Sequence, residues 1–484
     1  MDKTEEDSEK EYKIIKAKNP TLSKKNVFFI IAALVVLFVF YLLPTPVGLS
    51  FQGKMMLGIL MMGAVLWITE PVPLAVTGLL IMTIQPILGV LPAGEVFSSF
   101  GNQAVFFLIG AFIITGALEK HNLHKRIALK FLSFFEHNPK KFTFGIMLSC
   151  TFLSFIMPEH GVAAMFLPIV TSILIAMKVV PRESNFGIVS MLSIAYGCSI
   201  GSLGTLIGGA RNPLTIGMLA DLEQPILVSF FDWMIYSMPI VFISLPIVWI
   251  ILQISFPIKI KNIAAAKTEI KRQMSRSAKM NKYELTVIGI VILTIFLWIF
   301  VSSPDYFSLA VIAIIGSILL FFTGCITWKD VEQRVPWGII VLYGGAITLG
   351  IGMQKTGAGA WLAHQLFTLV GYNPYFVIVG LIILTVLLTN IMSNVGAVAI
   401  LLPIGIAIST EIPGVSPLLS SMLIALSGGL AFMFVIATPA NAITYSSGYY
   451  SSRNLLKAGI VANGACIAVI FVVAVLYWKG VLGL

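Results

Sequence analysis

Two apolar stretches, residues 142–178 and 375–410, are each too long for one membrane crossing, and polar residues break each at its centre. A bilayer core needs only about 20 apolar residues of helix. The first break reads Met157-Pro158-Glu159-His160-Gly161 and the second Met392-Ser393-Asn394-Val395-Gly396, an offset of 235 positions, and Pro168 and Pro403 follow at the same offset. Broken backbone is tolerated inside a membrane only where protein buries it or a wet cavity faces it. Both stretches therefore read as re-entrant helical hairpins with tips at membrane depth. A polar interruption repeated within a membrane chain points to a transporter's binding site.

Eleven further runs are long enough to span, near 27–44, 54–69, 73–92, 103–119, 185–208, 230–256, 285–302, 308–323, 336–353, 415–437 and 455–480. Charged residues are 11% of the 484, against about 25% in soluble domains. The net charge of +10 lies in short segments between apolar runs, as the positive-inside rule produces, so nucleic acid is not indicated. With residues 1–26 and their seven lysines in the cytoplasm, the basic loop 258–284 also falls inside. Counting each hairpin as a single crossing would put that loop outside, against the charge bias. The N-terminus does not read as a cleavable signal. The four scattered cysteines indicate neither disulfides nor zinc.

The repeat runs beyond the tips. Asn138-Pro139, Gly110 and Lys120 recur as Asn373-Pro374, Gly345 and Lys355, all at 235, and Gly208–Asn212 matches Ala437–Asn441 at 229. Five spans plus a hairpin per half is an odd number of crossings, so the halves have inverted topology. The fold class is an all-α polytopic membrane protein, with about eleven spans and two re-entrant hairpins. Its expected parts are a cytoplasmic segment 1–26, an extra helix 27–44, a first repeat 50–257, a basic loop 258–284 and a second repeat 285–480.

A helix starting at each tip presents unpaired N–H groups and a positive dipole end to an anion. Ser393 and Asn394 are N-cap types, and their oxygens also suit Na⁺; the plainer reading is that they only cap a buried helix. Gly208–Pro213 and Thr438–Asn441 interrupt later spans and free carbonyls for cations, or simply kink them. Lys120 and Lys355 at span ends read as snorkelling to the interface. Glu70, in a Pro-rich turn, reads as a fold residue.

These motifs, with Trp67-Ile68-Thr69-Glu70-Pro71-Val72-Pro73, Leu108-Ile109-Gly110-Ala111-Phe112 and Ala437-Thr438-Pro439-Ala440-Asn441-Ala442-Ile443, resemble the divalent anion:sodium symporter family over about residues 30–480. The resemblance implies carriage of dicarboxylates, citrate or sulfate across the cytoplasmic membrane, two sodium ions and no other cofactor. It also implies a homodimer and an elevator-like movement of the hairpin-bearing part. In that family each tip carries Ser-Asn-Thr, and each later break a Thr-Pro-Pro-Asn-like turn. Here Ser393, Asn394, Thr438, Pro439 and Asn441 match, while Val395 replaces Thr and Ala440 replaces Pro. The first tip has Pro158, Glu159 and His160 instead, and its later break has Gly209, Ala210 and Arg211 before a matching Asn212.

The resulting substrate-binding candidates are Glu159, His160, Gly161, Arg211, Asn212, Ser393, Asn394, Val395, Thr438 and Pro439. Ion-coupling candidates are Glu159, His160, Ser393, Asn394, Gly396, Ala437 and Asn441, with Na⁺ at Ser393, Asn394 and Asn441. Ionisable groups at membrane depth are costly and usually paired or functional. Arg211 has a permanent charge and stands where the family places a mobile cation, facing Glu159 or the substrate. His160 or Glu159 then carries a coupling proton, or the carrier exchanges anions; alternatively Glu159–Arg211 is a static ion pair. The reading is a secondary carrier of small dianions using fewer Na⁺, with a sulfate carrier or a passive anion channel as alternatives. HExxH and GxxxxGK[ST] are absent, and Glu159 and His160 are adjacent rather than at a metal-ligand spacing, which leaves no motif for a metalloenzyme or an ATP-driven pump. The expected partners are a small anion, the lipid bilayer and a second copy.

Overall fold

The computed structural model describes residues 23–483 except 136–137, 276–279, 304–305 and 371–372. Most of the 1–26 segment, with His137, Arg276 and Lys279, lies outside the described residues. The first half contains α1 (Lys24–Leu42), α2 (Phe51–Thr69), α3 (Leu74–Ile87), α4 (Ala93–Ser98), α5 (Gln103–Lys120), α6 (Leu123–Ser133), α7 (Pro139–Leu153), α8 (Glu159–Ala176), α9 (Asn185–Gly201), α10 (Arg211–Ala220) and α11 (Phe230–Ser255). After α12 (Ala264–Ser275) come α13 (Lys282–Phe300), α14 (Leu309–Phe322), α15 (Trp328–Arg334), α16 (Trp337–Lys355), α17 (Ala358–Val370), α18 (Pro374–Ile391), α19 (Asn394–Glu411), α20 (Pro417–Ser427), α21 (Pro439–Tyr445) and α22 (Ser452–Val472).

Helices α3, α4, α6, α7 and α8 recur as α14, α15, α17, α18 and α19, each starting 235 positions later. Their caps repeat as well. Asn138 Oδ1 accepts from Lys140 N at 2.9 Å and Asn373 Oδ1 from Tyr375 N at 2.9 Å, each followed by proline in the first turn. Proline is preorganised there, where its missing N–H costs nothing.

Packing separates two bodies. A framework is built from α1–α5 and α13–α16, in which α5 crosses α14 and α16 crosses α3. Glycine sets both crossings, because the helices approach too closely for side chains. A Cβ at Gly110 would lie 2.6 Å from Ala313 Cβ, and one at Gly345 would lie 2.4 Å from Gly78 Cα. These crossings explain why Gly110 and Gly345 recur together. Lys120 and Lys355 do not simply snorkel. Lys120 Nζ pairs with Asp330 at 2.7 Å, and Lys355 Nζ pairs with Glu95 at the opposite end. Each bond ties the end of one repeat's helix to the short helix of the other repeat. Glu70 ends α2 in a left-handed conformation, φ 43°.

The second body holds α7–α11 and α18–α22, with α8 against α21 and α10 against α19. Seven of the eleven expected single spans are helices long and apolar enough to cross a bilayer. The other four are short and come in repeat-related pairs, α3 with α14 and α9 with α20. A hydrophobic run continues through α9 and α20, but each helix stops where the chain unwinds before α10 or α21.

Candidate functional site

Each hairpin supplies a helix start to the centre of the second body. Ser393 caps α19 by accepting from Gly396 N at 3.2 Å. Pro158 at the equivalent place caps nothing with its side chain. Glu159 and Asn394 are the first residues of α8 and α19, and they touch. Asn394 Nδ2 donates to Glu159 Oε1 at 3.4 Å, so equivalent positions of the two tips meet. Both are buried, whereas the neighbouring His160, Gly161, Ser393 and Val395 are partly exposed. The tips thus close on Glu159 and Asn394 and present the other four to the opening. A carboxylate in a helix's first turn is favoured by the dipole. Glu159 Oε2 is buried without a partner, and His160 has no hydrogen bond among the described residues.

Helix ends of the opposite polarity face Arg211. Its side chain is 1% exposed. Nε donates to Ala425 O at 3.0 Å in the last turn of α20, and Nη2 donates to Ser202 Oγ at 2.8 Å, Ser202 being the C-cap of α9. The guanidinium thus caps a carbonyl in the last turn of α20 and sits beside the C-cap of α9, at the negative ends of two helix dipoles. Half-helix C-termini are where sodium-coupled carriers of this architecture hold a cation. A Cβ at Gly429 would lie 2.3 Å from Nη2, so glycine makes room for the charge. Arg211 and Glu159 do not form the direct ion pair that sequence suggested: no contact within 4.0 Å joins them among the described residues. They attract each other across Ser202.

The two breaks share an asparagine device. Asn212 Nδ2 bridges the freed carbonyls of Ser202 and Thr205 at 2.8 and 2.7 Å. Asn441 Nδ2 bridges those of Ala431 and Phe434 at 2.8 and 2.9 Å. Both Oδ1 atoms are buried without a donor. They are hard acceptors of the kind Na⁺ takes. Thr438 caps α21 through Asn441 N at 3.0 Å, beside buried Ala437 and exposed Pro439. Among the described residues no hydrogen bond joins Asn441 to Ser393 or Asn394. Asn394 Oδ1 is bonded instead by Thr389 Oγ1 at 2.8 Å, whose hydroxyl also faces Gly428 O at 2.6 Å. Sequence reasoning missed Thr389. Its one signal was a Thr389-Asn390 pair in an otherwise apolar run just before the tip.

Both tips lie against the same end of the framework. A Cβ at Gly161 would meet Glu119 Oε1 at 2.9 Å, and one at Gly396 would meet Trp67 Cβ at 3.8 Å. Glu119 and Trp67 are close to the C-terminal ends of α5 and α2.

Residues 24–484 match the sodium:sulfate symporter transmembrane region. Over 469 residues the chain is 31% identical to the sodium-dependent dicarboxylate transporter SdcS of Staphylococcus saprophyticus, covering 92% of this chain and 89% of that one. The chain belongs to the divalent anion:sodium symporter family. It is a transporter and not an enzyme. SdcS of Staphylococcus aureus is also 31% identical, over 460 residues covering 90% of this chain and 87% of that one. Among solved structures, MtrF of Neisseria gonorrhoeae superposes with a TM-score of 0.58 at 12% identity, covering 95% of this chain and 97% of that one. YdaH of Alcanivorax borkumensis superposes with a TM-score of 0.54 at 14% identity, covering 80% and 87%. At those identities the likeness is one of fold.

Proposed function

We propose that this family member carries small dianions of the dicarboxylate type, with one of the two family cation sites occupied by its own Arg211. The observation that carries the reading is the buried guanidinium between the C-termini of α9 and α20. It satisfies the dipole ends that a mobile cation would otherwise satisfy. A charge fixed to the chain cannot cross with the substrate, so the sodium count per cycle falls. The second tip keeps Ser393, Asn394 and Thr389 as oxygen donors for a remaining Na⁺. Glu159, with its unpartnered Oε2, offers a place for a coupled proton. The substrate meets the partly exposed tip residues His160, Gly161, Ser393 and Val395. The dicarboxylate assignment follows the SdcS transporters; sulfate is the competing dianion, named in the family description.

The second body carries the substrate past the framework in an elevator-like movement. With basic residues such as Lys120, Lys125 and Lys130 on the cytoplasmic side, contact of both tips with Glu119 and Trp67 corresponds to a cytoplasm-facing state. Exchanging the repeats generates the opposite state. The test is uptake into proteoliposomes with Na⁺ and pH gradients imposed separately, using succinate and sulfate as substrates. Uptake should require at most a shallow Na⁺ dependence, or respond to the pH gradient or to trans anion. A steep multi-sodium dependence with neither response would sink the reading.

A further inference from the structure

Tyr343 stands on framework helix α16 and is fully buried. Its hydroxyl donates to the carbonyl of Ala210 in the other body. Ala210 is the N-cap of α10, and the Leu214 backbone and the Arg211 guanidinium are the hydroxyl's other polar neighbours. A framework side chain thus enters the first turn of a helix in the hairpin body, one residue from the fixed cation. If the hairpin body slides along the framework, this bond must break.

The repeat supplies no equivalent hydroxyl. In the exchanged state α5 takes the part of α16, and α21 that of α10. The counterpart of Tyr343 at offset 235 is Leu108, and the counterpart of Ala210 at offset 229 is Pro439. Leucine offers no donor to a freed carbonyl. The bond exists on one side of the cycle only, so it biases the equilibrium between the two states. A ligand or contact shifts a two-state equilibrium only by its difference between the states. Here the difference is one buried hydroxyl.

We infer that Tyr343 is a positioning residue that latches the hairpin body in the state whose tips face Glu119 and Trp67. The inference rests on the moving-body reading above. Losing one buried hydrogen bond, about 1 kcal/mol net, moves a two-state ratio about fivefold.

The reporter is Met218→Cys on α10. Met218 is 5% exposed, and a Cβ at Gly350 on α16 would lie 3.8 Å from its Cγ, so the framework covers it in this state. Labelling of the reporter thiol by a small thiol reagent measures the population that uncovers it. Tyr343→Phe should speed that labelling about fivefold. Leu108→Tyr, which offers the missing hydroxyl to the other state, should also speed it and serves where Tyr343→Phe does not fold. Native Cys150, buried within the hairpin body, should label no faster in either variant. Unchanged labelling of the Met218→Cys reporter overturns the latch. So does an equal acceleration at Cys150, which would report unfolding. A Met218→Cys/Gly350→Cys pair separates the two levels: oxidation should abolish uptake and reductant should restore it. Uptake that survives complete crosslinking would overturn the moving body, and the latch with it.

Discussion

Replacing Arg211 by methionine keeps much of the side chain's volume while removing its charge and its donors. Nε caps Ala425 O in the last turn of α20, and Nη2 binds the C-cap hydroxyl of α9. Without them a buried carbonyl loses its partner, worth about 1–3 kcal/mol. Two helix C-termini lose a favourable charge, each worth up to about 2 kcal/mol in buried geometry. Glu159, 8% exposed, loses its compensating cation. The expected loss for R211M is about 3–5 kcal/mol, from one orphaned buried carbonyl and two helix ends left without a cation. The assay is unfolding in detergent, run as a double-mutant cycle with E159Q. Removing the carboxylate's charge should relieve part of the damage, with a coupling of about 1–3 kcal/mol. Added Na⁺, but not choline, should also restabilise R211M, because the helix C-termini it leaves bare suit a small cation. Additivity within about 0.5 kcal/mol, together with no response to Na⁺, would refute the claim that Arg211 occupies a cation's place.

Three further outcomes follow from particular contacts. Thr389→Val removes the hydroxyl bonded to Asn394 Oδ1 and should weaken the apparent Na⁺ affinity of uptake by about tenfold or more, with little change at saturating Na⁺; an unchanged Na⁺ titration removes Thr389 from the site. Gly345→Ala places a methyl 2.4 Å from Gly78 Cα and should destabilise the framework by about 1–3 kcal/mol, seen as a lower melting temperature, whereas the same change at Gly289, with open space around it, should not. In the loop helix α12, Arg272 holds the Glu269 carboxyl at about 2, below its usual 4.5. A depressed folded value means a contribution present above pH 4.5 and lost as pH falls towards 2; limited proteolysis of the 258–281 segment should therefore accelerate across that window, and E269Q should be fast already at neutral pH.

The hairpins were legible because their signals are local. Asn-Pro starts, a central polar break and a later proline recur at one offset, and the helices begin at Pro139, Glu159, Pro374 and Asn394. Ser393 was legible as a cap for the same reason. The short helices α9 and α20 were not legible, because their hydrophobic runs continue past the points where the backbone leaves the helix. Thr389 was hidden because a single hydroxyl in an apolar run is usually absorbed by its own helix. Here it turns to Asn394 and Gly428 instead.

Sequence by itself determined the membrane class, the inverted repeat, the positions of the two hairpin tips and the polar identity of the second tip's cap. Each follows from hydropathy, helix-breaking residues and spacing within a few turns. Tertiary structure alone decided that Glu159 meets Asn394, that Arg211 reaches a helix end 214 positions away, and that a framework tyrosine bonds to Ala210. It also decided that both tips lie at one end of the framework. Those facts depend on how two bodies pack and on which of two related arrangements they adopt. One repeated pattern is compatible with both arrangements, so spacing cannot choose between them.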